Sequence, residues 1–215
     1  MDNKLVLFNK STLKTLLKKR ASESKFGEHI KTISNNCNIY EQLVNLDVSH
    51  VIIGLPEDVG VFANYGKTGA YNAWNATLKV LLNIQNNAFT QANNVLILGH
   101  LDFSSELSKL ETLSQNKEKD VAKARKIVSK IDKEVTNLIY NIIRAGKTPI
   151  IIGGGHNNAY GNLKGASLAL NKRINVVNLD AHSDFRQEEG IHRGNGFRSA
   201  FSEGVLRKYC IGGVH

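Results

Sequence analysis

The chain has 215 residues, is 41% hydrophobic and 22% charged, and has a mean hydropathy of −0.25, values that exclude a disordered or fibrous protein. Its apolar runs are far shorter than the ~20 residues of a membrane span, and the N-terminus lacks the pattern of a secretory signal, so no membrane partner is expected. The net charge of +9 is spread along the chain and does not form the basic stripe of a nucleic-acid-binding protein.

The first part of the chain predicts a helical segment at the periphery of the fold. Leu13, Leu16 and Leu17 recur at helical spacing, and Ser11 is a suitable N-cap residue. We therefore expect an N-terminal helical appendage over residues 1–46.

Residues 47–215 predict an α/β domain in which short apolar strands alternate with helices. The expected strands cover residues 51–54, 95–99, 149–152 and 174–179, with a last strand that begins at Tyr209. The expected helices cover residues 68–84, 117–145 and 160–170, and a loop is expected over 55–69. Alternation of this kind is typical of βαβ units and of a mostly parallel sheet.

The two cysteines, Cys37 and Cys210, lie far apart and neither belongs to a C-x-x-C pair. This spacing excludes a zinc ribbon and a disulfide scaffold. We expect two reduced, partly buried thiols in a cytoplasmic protein.

Two of the predicted strands end in residues that bind metals. One is followed by glycines and His156, and the other by Asp180, His182 and Asp184. Ligands of open α/β sheets bind beyond the carboxyl ends of the strands, and alternate residues of an extended segment point the same way. Carboxylates and imidazoles together suit a divalent ion such as Mn²⁺.

Each motif alone has a simpler interpretation. A histidine after glycines is often a capping residue, and an isolated D-x-H-x-D segment is often a polar turn. Both motifs at consecutive strand ends favour a metal site, because crowded carboxylates are costly without a neutralising cation.

The segments Gly153-Gly154-Gly155-His156 and Asp180-Ala181-His182-Ser183-Asp184 resemble the first two signature motifs of the arginase/agmatinase/formimidoylglutamase superfamily. The resemblance covers residues from about 48 to 215. It implies a three-layer α/β/α arginase-like fold with a mostly parallel sheet. Members of the superfamily often form homo-oligomers, and the sequence itself does not fix the oligomeric state.

The resemblance also implies a centre of two Mn²⁺ ions. His156, Asp180 and Asp184 would bind one ion, Asp180 would bridge, and His182 would bind the second ion. Asp184 and His182 are expected to serve catalysis, in which a water of lowered pKa attacks the carbon of an amidine or guanidinium group. The family's third motif, which supplies two further Asp ligands, has no counterpart in these 215 residues, so we expect the C-terminal part of the domain to be missing and this polypeptide alone to be inactive.

The residues after the second motif favour the formimidoylglutamase branch. Arginases carry a histidine at the position of Phe197, whereas the formimidoylglutamase branch commonly has an arginine at the position of Arg186. The absence of an Asp at Gly155 points the same way.

Four residues of this region are candidate substrate ligands. An arginine guanidinium suits the carboxylate of a glutamate-derived substrate. The candidates are Arg186, His192, Arg193 and Asn195.

The function expected from the sequence is Mn²⁺-dependent hydrolysis of a linear amidine C–N bond, with N-formimino-L-glutamate giving glutamate and formamide in histidine degradation. Two alternatives stay open. One is an arginase- or agmatinase-type hydrolase of a guanidino substrate. The other is a non-catalytic, truncated relative that binds metal or partners.

Overall fold

Six strands and nine helices are present in the computed structural model, which describes residues 4–33, 35, 37–186 and 195–214. The strands are β1 (Leu5–Leu7), β2 (His50–Gly54), β3 (Val95–Leu101), β4 (Thr148–Ile152), β5 (Ile174–Leu179) and β6 (Leu206–Gly212). The helices are α1 (Lys10–Leu16), α2 (Phe26–His29), α3 (Ile39–Asn45), α4 (Val59–Ala63), α5 (Ala73–Leu81), α6 (Ser104–Leu110), α7 (Glu118–Arg144), α8 (Asn158–Leu170) and α9 (Gly196–Ser202). The predicted α/β class with mostly parallel strands is confirmed.

The chain divides into two units. The first contains Met1–Glu57, Gly69–Phe103 and Ala145–Gly154, and the second contains Asp58–Thr68, Ser104–Arg144 and Gly155–His215.

The first unit is built on a four-stranded sheet with the order β1-β3-β2-β4. β2 pairs in parallel with β3 and with β4, whereas β1 pairs antiparallel with β3. Val51 and Ile53 of the central strand have no exposed surface. The uninterrupted apolar run of β2 suits this central position, because a strand of a parallel sheet is covered on both faces.

The N-terminal segment differs from the expected helical appendage. It contains α1, α2 and α3, but it also contributes β1 to the sheet. Phe8, Phe26 and Ile30 are buried in the core of the first unit beside Trp74. The segment is therefore not peripheral, because its apolar side chains complete this core. The helix α1 also begins earlier than predicted, and its cap is Asn9, whose side chain accepts from the Thr12 amide, instead of Ser11.

The second unit is dominated by the packing of α7 on α8. The helix predicted over 117–145 is α7, and on its buried apolar face Val135, Leu138 and Ile142 have no exposed surface. The two helices approach closely at Gly161 and Gly165 of α8. A Cβ atom at Gly165 would lie 2.6 Å from the Thr136 carbonyl oxygen and 2.9 Å from Ile139 Cβ. The glycine is needed here because two helix backbones meet.

The variant Gly165→Ala tests this close packing. We expect it to lower the free energy of unfolding by about 1–3 kcal/mol, because the added methyl group must push the helices apart. The measurement is chemical denaturation of the variant and the parent protein. Leu168→Ala on the same helix is the control, since that side chain is 56% exposed and its truncation should cost less. An unchanged stability of Gly165→Ala would contradict the close helix contact.

The strands β5 and β6 form a separate two-stranded parallel sheet in the second unit. Val176 and Tyr209 pack from this sheet against a cluster that includes the buried residues Tyr160, Phe197 and Leu206. β5 has the predicted bounds, whereas β6 begins three residues before the expected Tyr209.

Three further expectations differ from the structure. The expected loop over 55–69 contains the helix α4, because Val59, Phe62 and Ala63 present an apolar face that is buried. The short helix α9 was not expected. Cys37 and Cys210 are free, as expected, but both are exposed and not partly buried. Within the described residues, no helix is long and apolar enough to span a bilayer.

Candidate active site

His156 lies between the end of β4 and the start of α8. Gly153 and Gly154 precede it with φ angles of 82° and 90°, which glycine adopts without a Cβ clash. The chain therefore turns sharply after the strand. The imidazole is half exposed, and its Nδ1 lies 2.6 Å from Asp184 Oδ2.

Asp180 directly follows β5 and forms a tight turn with His182. The His182 amide donates a hydrogen bond to Asp180 Oδ1 at 2.9 Å. This bond lowers the pKa of Asp180, and the nearby imidazole of His156 lowers it further, so the carboxylate is stabilised in its charged form. The polar turn and the metal site are therefore compatible, because Asp180 Oδ1 holds the turn while Oδ2 faces His156 Nδ1 at 3.7 Å.

Asp184 has a left-handed backbone, with a φ angle of 45°. A residue other than glycine in this region costs about 1 kcal/mol or more and is often found at functional sites. Its Oδ2 atom is buried and accepts no hydrogen bond among the described residues, although His156 Nδ1 is close. The two atoms are thus in contact without hydrogen-bond geometry.

His156, Asp180 and Asp184 form a group that could hold a divalent cation. One ligand atom from each residue lies within 4.8 Å of the other two. Neighbouring ligands of an octahedral cation with bonds of about 2.1 Å are about 3 Å apart. The contacts from His156 to the two carboxylates, 2.6 Å and 3.7 Å, lie on either side of this value. The residues present therefore fit Mn²⁺, which accepts imidazole and carboxylate ligands.

The other predicted site residues are placed differently. The His182 side chain is 78% exposed, with Nδ1 3.4 Å from Asp180 Oδ1, and it does not belong to the three-residue group. Arg186 is exposed, and its amide donates to Asn195 Oδ1 at 3.1 Å. Asn195 is buried, and its side chain holds the backbone at Arg186. His192 and Arg193 lie outside the described residues.

Phe197 is buried against the histidine of the site. Its ring meets His156 edge to face, with centroids 5.3 Å apart, and it lies 4.7 Å from the ring of Tyr209. Phe197 belongs to the apolar cluster of the second unit, and from this cluster its ring supports the imidazole of His156.

Tyr209 is a site residue that the sequence did not reveal. Its hydroxyl donates to the Ser183 carbonyl oxygen at 2.9 Å and accepts from Asn178 Nδ2 at 3.1 Å. Burial raises the pKa of Tyr209, so the hydroxyl keeps its proton. The alternation of β6 places this side chain inside, but only the pairing of β5 with β6 brings it to Ser183.

Comparison with protein families shows a match over most of the chain. The model described as the Arginase family matches residues 48–215. The formimidoylglutamase of Hahella chejuensis is 29% identical over 165 residues, which cover 74% of this chain and 42% of the relative. The formimidoylglutamase of Streptococcus gordonii is 30% identical over 175 residues, which cover 78% of this chain and 47% of the relative. The chain thus spans about half the length of the curated relatives it matches.

Solved structures share the fold of the chain. The formimidoylglutamase of Bacillus subtilis matches with a TM-score of 0.60 at 17% identity, over 88% of this chain and 51% of that one. Trypanosoma cruzi formiminoglutamase with Mn²⁺ matches with a TM-score of 0.59 at 18% identity, over 88% of this chain and 57% of that one. A hypothetical agmatinase from Burkholderia thailandensis has a TM-score of 0.59 at 17% identity, over 78% of this chain and 49% of that one.

Proposed function

Because this chain belongs to the arginase family, we propose that the protein hydrolyses the C–N bond of a linear amidine, N-formimino-L-glutamate, to glutamate and formamide. The observation that carries the proposal is the convergence of His156, Asp180 and Asp184 at the ends of successive strands. The similarity to two formimidoylglutamases supports the choice of substrate.

The chain's own residues would divide the work as follows. His156, Asp180 and Asp184 would hold one Mn²⁺ ion, and Asp180 and His182 would help to hold a second. Bound Mn²⁺ supplies charge stabilisation and lowers the pKa of water. The Asp184 carboxylate, which lies beside His156, would take the proton of the attacking water and return it to the leaving nitrogen.

Substrate binding would fall to the arginines after the second motif. Arg186 lies two residues beyond Asp184 and is exposed, and Arg193 is close to it in sequence. A planar guanidinium forms paired hydrogen bonds with a carboxylate, and formiminoglutamate carries two carboxylates.

The two cysteines are free and exposed, which supports a reducing compartment. We therefore propose that the protein is cytoplasmic.

The test of this function is an assay of formiminoglutamate hydrolysis with and without added Mn²⁺, on the protein expressed from its complete reading frame. We expect hydrolysis that depends on Mn²⁺ and releases formamide and glutamate in equal amounts. The absence of turnover in a folded protein that binds Mn²⁺ would favour the non-catalytic alternative.

The 215-residue polypeptide alone is expected to show no hydrolysis and to bind Mn²⁺ weakly. The reason is that it lacks the two Asp ligands of the family's third motif. The measurement is the same assay, together with the metal content by elemental analysis. Turnover at an ordinary enzyme rate of ~1–10³ s⁻¹ would show that another group completes the site.

A further inference from the structure

We propose that Tyr209 is a positioning residue of the metal site, which holds the loop of Asp180 and Asp184 in its ligating conformation. This inference rests on the proposed function, since it assigns a role toward the metal. The Tyr209 hydroxyl donates to the carbonyl oxygen of Ser183 at 2.9 Å. Ser183 stands directly before Asp184, so the bond acts on the peptide that sets the direction of this carboxylate.

The hydroxyl proton of Tyr209 has a defined direction. Asn178 Nδ2 donates to the hydroxyl oxygen at 3.1 Å, and an amide nitrogen can only donate. The single hydroxyl proton is therefore directed to the Ser183 carbonyl. Asn178 lies on β5 and Tyr209 on β6, so both partners belong to the paired strands of this sheet. The carbonyl of the loop is thus held by a rigid element.

The loop needs such a tether because its conformation is strained. Asp184 has a φ angle of 45°, and a bend with no regular secondary structure surrounds it. In the described part of the chain, the bond from Tyr209 is the one hydrogen bond that joins residues 181–184 to a strand. The loss of this bond would allow the Asp184 carboxylate to turn away from His156.

The ring of Tyr209 supports the other side of the site. It lies 4.7 Å from Phe197, whose edge-to-face contact with the His156 ring spans 5.3 Å between centroids. It also stacks on the ring of Phe185, the residue that follows Asp184, with centroids 5.6 Å apart. A substitution that keeps the ring and removes the hydroxyl therefore separates the tether from the packing.

The experiment is a Mn²⁺ titration of the Tyr209→Phe variant of the protein expressed from its complete reading frame, followed by electron paramagnetic resonance of the free ion and carried to millimolar metal. We expect the dissociation constant for Mn²⁺ to rise roughly tenfold, as when a residue that orients a metal ligand is lost. The melting temperature of the metal-free variant is measured alongside.

Tyr160→Phe is the matched control. The Tyr160 hydroxyl lies in the same unit, donates to Glu203 at 2.6 Å and accepts from Lys164 Nζ at 2.8 Å, and these two partners lie outside the loop. We expect this variant to change the melting temperature of the metal-free protein and to leave the Mn²⁺ dissociation constant unchanged. If the role of Tyr209 were purely structural, Tyr209→Phe would behave like Tyr160→Phe and change the melting temperature but not the Mn²⁺ dissociation constant.

The outcomes separate this inference from the proposed function. A Tyr209→Phe variant with the parent's Mn²⁺ affinity would overturn the inference and leave the metal site intact. Equal weakening by Tyr209→Phe and Tyr160→Phe would also overturn it. A parent protein that binds no Mn²⁺ would instead refute the proposed metal site, and the inference with it.

Discussion

Replacing Asp180 by alanine is expected to remove most of the bound Mn²⁺ and to lower kcat/KM on the order of 10³-fold or more. The substitution deletes Oδ2, which faces His156, and also Oδ1, which accepts the His182 amide. A metal that activates water contributes several kcal/mol to the rate, so its loss should be nearly complete in effect. The measurements are metal content after gel filtration and hydrolysis of formiminoglutamate by the protein from its complete reading frame.

The control for this prediction is Asp180→Asn. The asparagine oxygen still accepts from the His182 amide, so the turn should persist, while the charge that attracts the cation is lost. We expect a melting temperature of the metal-free protein near that of the parent and a much lower affinity for Mn²⁺. Asp184→Ala and His182→Ala should each weaken one ion more than the other. Retention of metal at the parent level in Asp180→Ala would refute the assignment of a two-metal site.

The second prediction is a preference for formiminoglutamate over arginine and agmatine. We expect Phe197 to occupy the position at which arginases carry a histidine, and a phenyl ring cannot transfer a proton to or from the leaving group. Agmatine has no carboxylate to bind an arginine, so it should be the poorest of the three substrates. The assay compares kcat/KM for the three compounds with Mn²⁺ supplied. A higher value for arginine or agmatine would contradict the branch and leave the metal site standing.

The arginine variants show which group carries this preference. Arg193→Ala should raise KM for formiminoglutamate about tenfold or more, since a hydrogen bond to a charged group is worth about 1.5–3 kcal/mol. Arg193→Lys should recover part of the loss, because lysine lacks the planar fork. Arg186→Ala tests the alternative donor in the same way. Arg20→Ala, at an exposed position in the N-terminal segment, is the control and should leave KM unchanged.

Local sequence patterns were sufficient for much of the fold. The alternating apolar strands and helices predicted the α/β class, and the stripe from Val121 to Ile142 predicted α7, because burial of one helix face requires that spacing. The N-terminal segment was predicted less well. Its strand β1 has three residues, too few for a pattern, and its side chains Phe8 and Phe26 find their core only through partners distant in the chain.

The chemistry of the candidate site could be predicted from the residue types, their spacing and the strand before each motif, because these are local properties. His156, Asp180 and Asp184 could be named before any geometry was known. Which of the candidates meet depends instead on contacts between distant parts of the chain. The tertiary structure brings these three within 4.8 Å, turns the His182 side chain to solvent and buries Asn195. It also places Tyr209 at the Ser183 carbonyl, since this contact depends on the register between β5 and β6, which a single sequence does not encode locally.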